Sequence, residues 1–228
     1  MIFNYLFRMP GTPWSLRILM FLFSAAAVVC ALSVHEVSHG LMALACGDDT
    51  AKNQGRLSLN PLRHLDITGA LMLMFFGFGW AKAVEIHPYR FRNAKRGTIL
   101  TAAAGPFSNF LLSFVSFFIY YLLAFAFPDN DIVANCAFFF YILAVISVGL
   151  GVFNLIPLPP LDGSKILEEL LPVRAKIKYQ RIEAYSFYIL IGLILLSNLT
   201  QIDFLQFIRI PLMNLLEWAG ARLAALFF

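Results

Sequence analysis

The stretch ALSVHEVSHGLMALACG, Ala31 to Gly47, decides how the rest of the chain is read. Its flanks are apolar enough for lipid, yet His35, Glu36 and His39 fall within a turn and a half of helix. An acid at mid-helix in a bilayer costs roughly 2.5–3.5 kcal/mol on insertion scales, so the cluster needs compensation. His35 and His39 stand at i and i+4, on one face of a helix, where two imidazoles can share one zinc ion. Glu36 lies beside them, placed to activate a water held by that metal as general base. The competing reading is a polar cluster satisfied by neighbouring helices. A hydrolytic zinc site usually takes three protein ligands and keeps the fourth position for water, so a third ligand must be found elsewhere.

Composition sets the surroundings. Of the 228 residues, 60% are hydrophobic and 13% are charged, against about 25% charged in a soluble domain. The chain reads as an all-α polytopic membrane protein with lipid as its solvent. The net charge of +4 has too little polar surface behind it to build a nucleic-acid groove. It is better read as topology, since Lys and Arg gather in cytoplasmic loops. Cys30, Cys46 and Cys136 lie in apolar stretches without CxxC spacing, which argues against a disulfide framework or a thiolate zinc site. The N-terminal MIFNYLFRMPGTPW lacks a signal-peptide cleavage site and reads as an interfacial lead-in, with Trp14 at headgroup level.

Five apolar segments follow: Ile18 to Cys46, Thr98 to Phe127, Ile132 to Leu158, a shorter Ala184 to Leu199, and Phe204 to Phe228. Each is close to the ~20 residues a helix needs to cross the hydrocarbon core, giving about five to six spans in a single membrane domain over residues 1–228, with the core at about 18–167 and C-terminal helices at about 184–228. Ile67 to Trp80 is shorter and glycine-containing, with basic residues on both sides, so it is expected to dip into the membrane and return. The runs GRLSLN and AVEIH beside it alternate in polarity and predict two short strands, a small hairpin whose edge could pair with an extended substrate. The acidic FPDND is expected outside, and the basic VRAKIKYQR inside.

The third ligand is sought among the remaining histidines and acids. His64 and His87 sit in the basic loop region, whereas Asp162 in FNLIPLPPLDGSKIL is the one acid near the end of the third span. Pro157, Pro159 and Pro160 break the helix there, so the chain can turn a carboxylate inward. Gly163 permits close backbone approach. The alternative is a Pro-rich loop whose surface Asp caps the helix starting near Ser164. Counting residues from the basic loops places His39, Asp162 and the AGPFSN stretch at similar depth, toward the cytoplasmic side.

Taken together, HEVSH at His35 to His39, GPFSN at Gly105 to Asn109 and NLIPLPPLDG at Asn154 to Gly163 resemble the site-2 protease family of intramembrane zinc metalloproteases. GDDTAKNQGRLSLNPLRHLDITG and FGWAKAV look like its compact bacterial subgroup, which lacks extra soluble domains. The resemblance runs from about Val34 to Leu167. It implies that His35, His39 and Asp162 hold one Zn2+ per chain, that Glu36 activates water, and that Asn154 and Asn109 contact substrate or stabilise the oxyanion. It implies transmembrane protein substrates and a multi-pass protein of the cell membrane. Two other classes stay open: an inactive scaffold that binds transmembrane partners, and a metal transporter using the same polar cluster.

Overall fold

A computed structural model of the protein describes residues 11–64, 66, 68–69, 82–200 and 203–228. The first long helix, α1, spans Trp14–Cys46 and carries the His/Glu cluster two-thirds of the way along. Gly47 ends it in the left-handed conformation, φ 117°, where a Cβ would be strained. The Asp48 N–H returns to the Ala43 carbonyl at 2.9 Å and the Gly47 N–H to Leu44 at 3.1 Å, a Schellman-type closure of the last turn. A short α2, Thr50–Asn53, follows. The next long helix, α3, runs Ala94–Ala126 and starts at Asn93, whose side chain caps the Arg96 N–H at 3.0 Å. The acidic link leads to α4, Asp131–Asn154, whose Asn130 cap bonds the N–H groups of Ile132 and Val133. Then come α5, Asp162–Leu170, α6, Val173–Thr200, and α7, Gln206–Ala224.

In this arrangement α3 is central, packing against α1, α4, α5 and α7. Small residues make the close approaches possible. Ala27, Ala31, Ala144, Ser24, Ser113, Ser116 and Ser147 are all buried at these contacts, where lipid supplies no hydrophobic drive and backbone proximity must do the holding. Ala27 and Ala31 of α1 meet Ile142 and Leu143 of α4, flanked by Phe23, Phe138 and Phe139. Gly220 of α7 sits against the backbone of α3, where a Cβ would come 2.9 Å from the Phe118 nitrogen.

The helical class and the membrane character expected from the sequence hold, with two adjustments. Among the described residues four helices are long and apolar enough to cross a membrane, α1, α3, α4 and residues Val173–Ser197 of α6, against the five to six expected. The last helix, α7, is outside that set and carries Arg209, Glu217 and Arg222. The basic run VRAKIKYQR, expected as a loop, instead forms the first turns of α6, consistent with the good helix propensity of Lys, Arg and Gln. Most of the expected re-entrant segment Ile67 to Trp80 lies outside the described residues, as does most of the N-terminal lead-in.

The expected hairpin is corrected. No strand occurs among the described residues, and both alternating runs are irregular chain. The physical reason is where their backbone donors go. The Val84 N–H donates to the Glu36 carboxylate at 3.0 Å and the His87 N–H to the Asp48 carboxylate at 2.7 Å. Arg56 in turn takes the carbonyls of Arg63, Lys82 and Ala83. Side chains thus occupy the groups a ladder would have used, and the substrate edge argued from that ladder falls with it.

Candidate active site

His35 and His39 occupy successive turns of one face of α1, and both are buried. Their Nε2 atoms lie 3.0 Å apart. Asp162, the first residue of α5, brings Oδ2 to 3.1 Å from each of them. The candidate third ligand is therefore delivered by the start of a helix rather than by the extended chain before it. Leu161 holds that entry in extended conformation, and Gly163 makes it fit: a Cβ there would lie 2.2 Å from the Leu155 carbonyl oxygen. The close backbone approach expected of this glycine is what the fold uses.

Proton placement tells what the trio can hold. The His39 Nδ1 lies 2.7 Å from the Thr101 carbonyl oxygen, which can only accept, so the ring carries a proton on Nδ1 and, when neutral, a lone pair on Nε2. Asp162 Oδ2 is buried with no hydrogen-bond partner among the described residues, although two imidazoles face it. Bare acceptor atoms at this spacing repel unless a proton or a cation lies between them, and a metal ion would satisfy all three at once. Ligands about 2.0–2.1 Å from a tetrahedral centre lie about 3.3 Å apart, close to the spacing here. His35, His39 and Asp162 form the one such group of buried metal-capable side chains among the described residues. The donor set, two imidazoles and a carboxylate, suits zinc.

Glu36 is buried one residue along from His35, its Oε2 accepting the Val84 N–H. Gly40, one turn further along α1, packs against both runs: a Cβ there would lie 2.6 Å from Leu57 Cδ2 and 3.5 Å from Val84 Cγ1. A cavity of about 180 Å³ opens against His39, lined also by Val84, Phe91, Thr101 and Lys165.

Of the two asparagines, Asn109 joins the group and Asn154 does not. Asn109 is fully buried, its amide 3.0 Å from His35 Nδ1. It stands behind the ring, on the side away from the Nε2 that faces Asp162. Asn154 ends α4 and donates from its amide to Leu150 of its own helix at 3.0 Å. His64 is buried in the loop with Nε2 2.6 Å from the Ser58 carbonyl, and His87 packs beside Tyr89; neither belongs to the trio.

Sequence reasoning missed three contributors. The Thr101 carbonyl and the Val84 N–H are backbone groups, which no residue type announces. Lys165, with Nζ 3.5 Å from Asp162 Oδ1, was readable as an i+3 neighbour of the ligand.

The profile of Peptidase family M50 matches residues 23–197. "Putative zinc metalloprotease YwhC" of Bacillus subtilis is 37% identical over 169 residues, covering 73% of this chain and 77% of that protein. "Putative zinc metalloprotease Rip2" of Mycobacterium tuberculosis is 30% identical over 156 residues, 65% of this chain and 57% of its own length. A Streptococcus pneumoniae protein, "Putative zinc metalloprotease spr0242", is 52% identical over 46 residues, 20% of this chain and 11% of its own. No solved structure matches. With its paired imidazoles, its carboxylate and a profile match over most of its length, the chain belongs to Peptidase family M50, the site-2 proteases.

Proposed function

We propose that this protein is an intramembrane zinc endopeptidase, hydrolysing peptide bonds within or near transmembrane segments of membrane-protein substrates. The observation that carries the reading is the buried meeting of His35 Nε2, His39 Nε2 and Asp162 Oδ2, beside Glu36 and between helices apolar enough for lipid. Those three residues would hold one zinc ion per chain. When bound, such an ion supplies Lewis acidity and makes water nucleophilic near neutral pH.

The chain's own groups do the rest. Glu36 takes the proton of the attacking water and later passes it to the leaving amine. Its Oε2 is held by the Val84 N–H, which fixes the carboxylate and leaves Oε1 to act. Asn154 is the side-chain donor we assign to the substrate carbonyl, in a site dry enough for one hydrogen bond to count. Water reaches His39 through the cavity beside Lys165. A helical substrate must unwind there, because its carbonyls are otherwise hydrogen-bonded and shielded from water. The basic residues Lys82, Arg90, Arg92, Lys95 and Arg96, and the base of α6, gather near the site's end of the helices, which supports placing that end on the cytoplasmic side of a cell membrane.

Zinc per chain in detergent-purified protein tests the reading, with His39→Ala and Asp162→Ala alongside. About one tightly held zinc, lost in both variants, is expected. Parent protein that never holds zinc would overturn the reading, and zinc without cleavage of any transmembrane substrate would favour a binding scaffold.

A further inference from the structure

The face of α3 turned toward the two histidines repeats every fourth residue: Thr101, Gly105, Asn109. Each position meets the imidazole pair. The Thr101 carbonyl accepts from His39 Nδ1 at 2.7 Å, and the Asn109 amide lies 3.0 Å from His35 Nδ1. Between them Gly105 is the seat of both rings; a Cβ there would come 2.4 Å from His39 Nε2 and 2.6 Å from His35 Cε1. The i, i+4 spacing of the histidines on α1 is therefore read by a matching i, i+4, i+8 row on an antiparallel helix.

An asparagine amide can turn either end to a ring nitrogen. With its nitrogen toward His35, Asn109 Oδ1 is buried without a partner among the described residues. The ring would then need its proton on Nε2, where it would donate to Asp162 Oδ2 and leave no lone pair for a metal. With the oxygen toward the ring, His35 Nδ1–H donates to Asn109 and Nε2 is left bare, as in His39. We propose that Asn109 is a positioning residue for His35: its amide oxygen accepts the Nδ1–H and, with the Thr101 carbonyl, sets both imidazoles in the tautomer that presents Nε2 to a metal. Outer partners of this kind orient a ligand and raise its basicity, and losing one typically weakens metal binding about 10–100-fold. The inference rests on the zinc reading of the trio.

Two replacements separate positioning from packing. Asn109→Leu keeps the volume and removes the acceptor, whereas Asn109→Asp keeps the acceptor and introduces a charge into a buried site. Zinc affinity is measured on the detergent-purified full chain by chelator competition, with the metal alone as probe. The expected order is parent and Asn109→Asp alike, and Asn109→Leu about 10–100-fold weaker. A purely structural role predicts the opposite order, because a buried charge disrupts packing more than an isosteric leucine; that order, or Asn109→Leu within threefold of the parent, overturns the proposal. Should either variant aggregate, the unaltered protein decides. In 15N-histidine spectra with zinc, His35 is expected to carry a slowly exchanging proton on Nδ1, and its absence counts against Asn109. Failure of the parent itself to bind zinc would instead remove the zinc reading.

Discussion

The α1–α3–α5 meeting and helix α6 are built to opposite standards. In the first, His35, His39, Asp162 and Asn109 are all at most 6% exposed, and Gly105 and Gly163 leave no room for a methyl group. In the second, only 6% of the apolar window is buried, against 44% in α4. Tyr185, Tyr188, Leu193, Leu196 and Leu199 all project away from the rest of the described chain. Helix α6 is fastened at its base, by Tyr179 to the Pro157 carbonyl, Gln180 to Glu168, and Lys176 to Glu169. Both regions are helical and apolar, yet one is fixed by polar groups that must be satisfied inside it and the other by lipid. Burying polar groups forces close packing, since every unsatisfied one is costly in a medium without water. A helix without such groups is free to rest against lipid chains.

Substitutions can break or sharpen this contrast. The largest effect is expected at Glu36→Gln, which should leave zinc content unchanged while cleavage of a transmembrane substrate falls by about 10²–10⁴-fold; substantial residual turnover would remove Glu36 as the base. Next come the glycines. Gly163→Ala must displace the backbone that carries Asp162, so zinc measured by metal analysis should fall at least about tenfold. The same replacement at Gly192 in α6, where a Cβ meets nothing within 4 Å, should leave zinc and activity intact. It should raise helix stability by up to about 1 kcal/mol. If both glycines behaved alike, the contrast between the regions would be false. Packing gives a smaller version. Phe117→Ala at a fully buried site on α3 should lower the melting temperature in detergent, with a cost at or below the about 3–5 kcal/mol of soluble cores, because lipid solvates an exposed ring as well. Leu193→Ala should change stability by no more than about 0.5 kcal/mol and leave the melting temperature nearly unmoved.

The smallest effect concerns pH and the loop over Glu36. Burial alone would raise the Asp48 carboxyl, but hydrogen bonds from the Thr50 hydroxyl and from the His87 and Thr50 amides outweigh it and hold the group below the usual carboxylate range. A depressed folded pKa means the anchoring is complete above an unfolded value of about 4 and is lost as pH falls through the lower folded value. Limited proteolysis around residues 82–92 should therefore be flat from pH 5 to 8 and rise only in stronger acid. Asp48→Asn should abolish that acid-dependent rise.

Much of this was readable before any coordinates. The HEVSH spacing forces two imidazoles onto one face, and a bilayer leaves them few partners other than a metal. Asp162 stood out because prolines break the helix before it and because few other acids lie at that depth. What the sequence could not show were interactions made by backbone atoms: the Thr101 carbonyl behind His39, the Val84 amide on Glu36. The strands failed for a related reason. Alternation over five residues records which side chains face inward, and here the matching backbone donors had been claimed by Glu36 and Asp48 instead of a neighbouring strand. Asn109 was found as a motif position, but its role depended on α3 running antiparallel to α1, which spacing within one helix does not encode.

The ligands also have an order in time. His35 and His39 enter the membrane with the first helix, while Asp162 is added only after α3 and α4 have been synthesised. A nascent chain that ends between His39 and Leu161 holds both imidazoles and Glu36 but lacks the residue that completes the trio. On the proposed reading the trio therefore stays incomplete through the synthesis of the first three long helices and closes only when Asp162 has been made.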